Sequence, residues 1–94
     1  MIIGLDRRAK IAPAVHARRF EGELVILDLR GGDYWTLDAI GMRLWDALEA
    51  GRTARDVAAE VQPVFEVDAQ TLLHDLETLT EELARRGLIV PRDP

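Results

Sequence analysis

The sequence predicts an α+β domain, winged helix-turn-helix-like, in which a three-stranded antiparallel sheet is followed by three helices. Three observations carry that prediction. Two strand-like runs, Leu24–Leu29 and Asp33–Leu37, flank the pair Gly31-Gly32. Three amphipathic stretches follow, each opened by a capping residue: Asp38, Thr53 and Asp68. A length of 94 residues without cysteine gives one domain with a modest core and no disulfide.

Residues 1–13 hold no periodic pattern and close at Pro13, which predicts a flexible N-terminal arm. Val15–Phe20 alternates weakly and makes a first strand, and Glu21-Gly22-Glu23 is a turn signal. The hairpin comes next. Val25 and Ile26 are β-branched, and Gly31-Gly32 supplies the positive φ of a two-residue turn. That loop pairs Arg30 with Asp33, Leu29 with Tyr34, Leu27 with Thr36 and Ile26 with Leu37. Val25, Leu27, Leu29 and Tyr34 then share one face, and Leu24, Ile26, Trp35 and Leu37 the other. One face meets the helices; the other needs a cover from the N-terminal arm or from a partner.

Asp38 caps the first helix, with Leu37 and Met42 as a hydrophobic staple. Ile40, Leu44, Trp45 and Leu48 form its stripe, and Gly51 ends it. Thr53 and Asp56 make a capping box for the second helix, which Pro63 is expected to stop. Asp68 opens the third, stapled by Val67 and Leu72. Its stripe is Leu72, Leu76, Leu79 and Leu83, with Leu73, Leu76 and Thr80 on an adjoining line. Gly87 ends it, letting Leu88 fold back on Leu83 in a Schellman motif. Leu88–Val90 is a short apolar run that can form one more strand.

Composition narrows the function. The net charge is −5 and uneven: Arg7, Arg8, Lys10, Arg18 and Arg19 sit near the start, whereas Asp68, Asp75, Glu77, Glu81 and Glu82 crowd the third helix. A nucleic-acid backbone would be repelled there, which weighs against a winged-helix DNA-binding regulator. His16 and His74 stand in no metal-ligand spacing, and no phosphate-binding glycine loop occurs, so neither an enzyme nor a cofactor is expected. No apolar run is long enough to span a membrane and no signal peptide is visible, which predicts a cytoplasmic chain with no membrane partner.

What remains is a binding surface. The strand Asp33–Leu37 is short and runs straight into a helix, as an edge strand does, and an uncovered edge accepts another chain. The hydroxyl of Tyr34 suits a groove position, Trp35 is either core or groove, and Trp45 is core. Leu73 and Thr80, off the main stripe, either broaden an apolar face or floor a groove beside the edge. The same edge can also pair with a second copy to give a homodimer.

The run GGDYWTLDAIGMRLWDALEAGRTARDVAAEV followed by VDAQTLLHDLETLTEELARRGLIV resembles a PqqD-like protein, the RiPP precursor recognition element. The ordered pattern is hairpin, aromatic pair, x-Leu-Asp, Leu-Trp, Gly-x-Thr-x-x-Asp and a Leu-rich helix ending Arg-Gly-Leu. It covers about Val15 to Val90, giving a recognition domain over 14–90 and a tail over 91–94. Asp38 stands where Asn is common, and Ile40 replaces a frequent Thr. The resemblance implies a non-catalytic adaptor that binds the leader of a ribosomally made precursor. The leader adds to the third predicted strand and lies against the third helix. Carried onto this sequence, its site is Asp33, Tyr34, Trp35, Thr36, Leu37, Leu72, Leu73, Asp75, Leu76, Leu79 and Thr80. Tyr34-Trp35 and Trp45 look more like the stand-alone proteins of lasso-peptide clusters than the pyrroloquinoline quinone peptide chaperone, which is the alternative. The implied partners are a lasso precursor leader, a cysteine-type leader peptidase and an ATP-dependent macrolactam synthetase. The compact length and free start imply a discrete protein rather than an enzyme-fused domain.

Overall fold

In the computed structural model, which describes residues 3–92, eight elements follow the chain. They are β1 (Ala9–Ile11), β2 (Val15–Phe20), β3 (Glu23–Asp28), β4 (Asp33–Leu37), α1 (Ala39–Glu49), α2 (Ala54–Phe65), α3 (Ala69–Arg85) and β5 (Ile89–Pro91). The expected sheet is present: β2-β3-β4, antiparallel throughout, with β4 at one edge. Met1, Ile2, Asp93 and Pro94, the ends of the expected arm and tail, lie outside the described residues.

The hairpin differs from its expected register by two residues. Ile26 pairs with Trp35, Leu27 with Tyr34 and Asp28 with Asp33. The loop is four residues long, and Gly32 alone of its two glycines has positive φ, at 77°. The cause is Asp28. Its carbonyl accepts the Gly32 N–H at 2.8 Å. Its carboxylate accepts the Arg30 N–H at 3.0 Å and the guanidinium at 2.9 Å. Arg30 therefore folds back on Asp28 instead of reaching Asp33, and it also donates to the Gly87 carbonyl at 2.8 Å, tying the loop to the end of α3. A slip of two keeps every side chain on its expected face, where a slip of one would have inverted the sheet.

Leu24 and Ile26 accordingly point inward and are buried. They meet Leu44, Trp45 and Leu48 of α1, Val57 and Val61 of α2, and Leu72, Leu76 and Leu83 of α3 in one core. Trp45 is 2% exposed, as expected of a core tryptophan. Asp38 accepts the Gly41 N–H at 2.9 Å, the Thr53–Asp56 box closes both ways, and Asp68 accepts the Thr71 N–H at 3.0 Å. At the far end of α3 the Leu88 N–H reaches the Leu83 carbonyl and the Gly87 N–H that of Ala84, both at 3.0 Å, in a Schellman motif.

Two expectations give way. α2 runs through Pro63 to Phe65 and ends at Glu66 in the left-handed region. The bond that Pro63 cannot make and the carbonyl its ring crowds both belong to Ala59, an exposed residue near the end of the helix, where the disturbance is confined to the last turn. The loose arm is not what residues 9–12 show: β1 pairs with β5, and Ile3, Ala9 and Ala12 are buried in the core. Three-residue strands carry no readable period, and their partners lie some 80 positions apart in the chain.

Candidate functional site

The site begins at the open side of β4. With β3 on one side, the other side of β4 has no strand partner among the described residues. Alternate residues of such an edge turn their N–H and C=O groups outward, unsatisfied by protein. At its end, β4 passes through Leu37 into α1, and Asp38 turns the chain by capping that helix.

Beside this junction lies a hollow of about 190 Å³. The first turn of α1 supplies Asp38, Ile40 and Gly41, and α3 supplies Thr71, Leu72, Asp75, Leu76 and Leu79, with Val67 from the preceding loop. The walls are apolar and the carboxylates of Asp38 and Asp75 stand among them. Thr71 is already engaged: its hydroxyl donates to Asp68 at 3.1 Å. Backbone and side-chain donors of Thr71 together hold the Asp68 carboxyl below its ordinary pKa. Asp75 forms no ion pair among the described residues. The volume suits one or two side chains of a peptide and falls short of the roughly 300–1,000 Å³ typical of small-molecule sites.

Gly41 makes the hollow. A Cβ there would stand 2.9 Å from the Leu37 Cβ and 3.4 Å from a Leu79 methyl. Its missing side chain lets α1, the end of β4 and α3 come together. At the hairpin end of β4, the Arg86 guanidinium lies 5.0 Å from the centre of the Trp35 ring. Glu82 accepts from Arg86 at 2.6 Å and so holds that cation in place, and the same contact lowers the Glu82 pKa. Trp35 is half-buried against the core, so it serves both as core and as part of this link between β4 and α3.

The residues expected at the site divide into groups. Leu72, Asp75, Leu76 and Leu79 come together in the hollow. Trp35 and Leu37 face inward beside it, half-buried. Asp33, Tyr34 and Thr36 lie on the same edge strand, all exposed. Tyr34 sits beside Leu27 on the outer face of the sheet, 69% exposed, not on the groove side. Leu73 turns the other way, into a hollow shared with Ala58, Ala59 and Gln62 of α2. Thr80 is fully buried and its hydroxyl donates to the Leu76 carbonyl at 2.7 Å, so no group of it is offered to a ligand. Asp38, Ile40, Gly41, Val67 and Thr71 were missed as site residues. The signal for them was available: Val67 and the first turn of α1 flank the two caps, and residues at caps meet wherever helix starts converge.

The sequence matches the family described as "Coenzyme PQQ synthesis protein D (PqqD)" over residues 23–89. None of the curated proteins matches it significantly. Among solved structures, the fold is similar to TbiB1 in complex with the TbiA(beta) leader peptide. The identity is 32%, the TM-score 0.79, and the match covers 90% of this chain and 99% of that one. It is also similar to lasso peptide synthetase B1 complexed with the leader peptide, at 25% identity and a TM-score of 0.81, covering 89% of this chain and 99% of that one.

Proposed function

This chain belongs to the PqqD family, and on that premise we propose that it is a non-catalytic adaptor that binds the leader peptide of a ribosomally synthesised precursor, of lasso-peptide type. The leader adds as a strand to β4 and lies along the groove that runs from the Trp35–Arg86 link to the hollow beneath Gly41. Main-chain bonds to β4 supply affinity whatever the leader's sequence. Apolar leader side chains entering between Ile40, Val67, Leu72, Leu76 and Leu79 supply selectivity. Asp75 and Asp38 favour a basic leader residue at the mouth. The adaptor works in the cytoplasm, and its downstream partners are a cysteine-type leader peptidase and an ATP-dependent macrolactam synthetase.

The observation that carries this reading is the juxtaposition of an unpaired strand edge with an apolar hollow of about 190 Å³, on a fold 32% identical to a leader-bound protein. The two leader-bound neighbours favour it over the quinone-cofactor peptide chaperone. The exposed acids of α3 oppose DNA binding, since a reading helix needs cations toward phosphate.

Fluorescence polarisation of the labelled leader encoded beside this chain tests it. The expected result is saturable binding at about micromolar Kd, roughly 8 kcal/mol, abolished by scrambling the leader. A folded chain that binds no neighbouring leader overturns it.

A further inference from the structure

Two arginines join the hairpin to the end of α3. Asp28 closes the central strand β3 pointing inward, 8% exposed, and pairs directly across the hairpin with Asp33. Carboxylates opposite one another repel and would spread this end of the sheet. Arg30 prevents it. Its Nε and one terminal nitrogen each reach an oxygen of Asp28 at 2.9 Å, in a planar fork. The same terminal nitrogen donates to the Gly87 carbonyl at 2.8 Å. A Cβ on Gly87 would stand 3.4 Å from that nitrogen, so the guanidinium lies close against the bare residue. One residue earlier, Arg86 lies over the Trp35 ring. Two consecutive residues at the end of α3 thus hold the hairpin loop and the middle of β4.

β4 is otherwise anchored unequally. Its last residue, Leu37, runs into α1, where Asp38 fixes the turn by capping the helix. Its first follows an exposed loop, residues 29–32. A five-residue edge strand anchored at one end frays at the other unless something holds it. A strand that adds to β4 needs the whole edge in line with α3, because its main chain and its side chains must be met together. We propose that Arg30 is a positioning residue of the groove: by tying the hairpin loop to Gly87, it keeps the edge of β4 aligned with α3 before any leader arrives. The proposal rests on the leader-binding reading above. Arg30 acts through β4 and needs no contact with the leader. Apparent affinity falls in proportion to the fraction of chains whose edge is aligned. Lysine does not replace it. A single ammonium keeps the charge beside Asp28 but cannot hold both carboxylate oxygens and the Gly87 carbonyl at once. Glutamine loses the charge as well and leaves Asp28 facing Asp33.

The test uses the intact chain carrying Arg30→Lys or Arg30→Gln, first alone and then with the labelled leader encoded beside it. Alone, amide hydrogen exchange reads the edge itself. The β4 amides bonded to β3 should exchange about tenfold faster in Arg30→Gln and about threefold faster in Arg30→Lys, while those inside α2 keep their rate. With leader, affinity should fall by the same two factors, through slower association at a dissociation rate within about twofold of wild type. An arginine that only stabilises the fold behaves otherwise: its loss speeds exchange in β4 and α2 alike, and the folded chains bind leader as before. That pattern overturns the proposal. So does unchanged β4 exchange in both variants, or faster β4 exchange with leader affinity kept. Arg30→Lys decides if Arg30→Gln does not fold. If the wild-type chain binds no leader, polarisation shows it before any variant is made, and it is the leader-binding reading that has failed.

Discussion

α3 presents two hollows of the same size, about 190 Å³ each, on its two flanks. One lies toward α1 and the end of β4, walled by Leu72, Leu76 and Leu79. The other lies toward α2, walled by Leu73, Ala58 and Ala59. Volume does not distinguish them, although the β4-side walls are the more apolar and Arg55 and Gln62 stand in the other. The larger difference is the neighbouring backbone. On the α2 flank both walls are helices, whose N–H and C=O groups are already bonded within each helix. On the β4 flank an edge strand offers its unpaired groups next to the hollow. An extended peptide needs both, a ladder for its main chain and a pocket for its side chains, and only one flank supplies them.

The largest expected effect breaks this symmetry directly. Leu79→Asp should weaken leader binding by tenfold or more, at least about 1.4 kcal/mol, whereas Leu73→Asp should change it less than about threefold. Both side chains are half-buried, so circular dichroism must show that each variant is folded. Leu76 is unsuitable, because it is 1% exposed and a charge there would unfold the core. Equal losses from the two variants would mean that the flank facing α2 also holds the leader.

A second pair of variants fills each hollow in turn. Gly41→Ala places a Cβ 2.9 Å from the Leu37 Cβ and 3.4 Å from a Leu79 methyl, forcing Leu37 at the end of β4 to shift. Overpacking of that kind costs about 1–3 kcal/mol, offset by up to about 1 kcal/mol of helix propensity. Urea denaturation should show a net loss, and leader affinity should fall with it. Ala59→Leu, exposed at the α2 hollow, should leave leader affinity unchanged.

The two flanks were unequally legible in the sequence. The three helices could be read because their signals are local: Asp38, Thr53 and Asp68 as caps, Gly87 as terminator, and leucines three and four apart. The faces of the hairpin were legible for the same reason, since period two survives a two-residue slip. The register was not, because it depended on Asp28 capturing Arg30 within the loop, which competes with the ion pair to Asp33 that the sequence suggests equally well. Nor could the sequence choose between the lines Leu72–Leu79 and Leu73–Thr80. Both have helical spacing, and which one meets the open edge is decided by how α2 packs on α3. The β1–β5 pairing was invisible for want of any pattern in three residues.

Acid should act on the shared framework and therefore on both flanks alike. Asp68 and Asp56, holding the N-termini of α3 and α2 through backbone N–H groups, and Asp28, held chiefly by the Arg30 guanidinium, all have lowered pKa values. A carboxyl whose folded pKa is depressed stabilises the fold above its unfolded pKa, and that contribution is lost as pH falls through the folded pKa. Stability in urea should thus stay level from neutral pH to about 4 and fall below it. A loss beginning well above pH 4 would contradict the assignment to these three carboxyls.

The smallest expected effect is confined to one flank and concerns charge rather than shape. Asp75 stands exposed at the mouth of the β4-side hollow without an ion-pair partner among the described residues. For a leader with a lysine or arginine opposite it, an exposed pair contributes about 0.2–1 kcal/mol, so Asp75→Asn should weaken binding by no more than about fivefold. The informative quantity is the salt dependence. Affinity of the wild-type chain should decline between low and physiological ionic strength, and the Asn variant should decline less, because the pair being screened is gone. Asp75→Glu should keep the salt dependence. Identical salt slopes for all three chains would leave selectivity to the apolar walls alone, so that the β4 flank of α3 would stand apart by its strand edge and its more apolar lining and not by its charge.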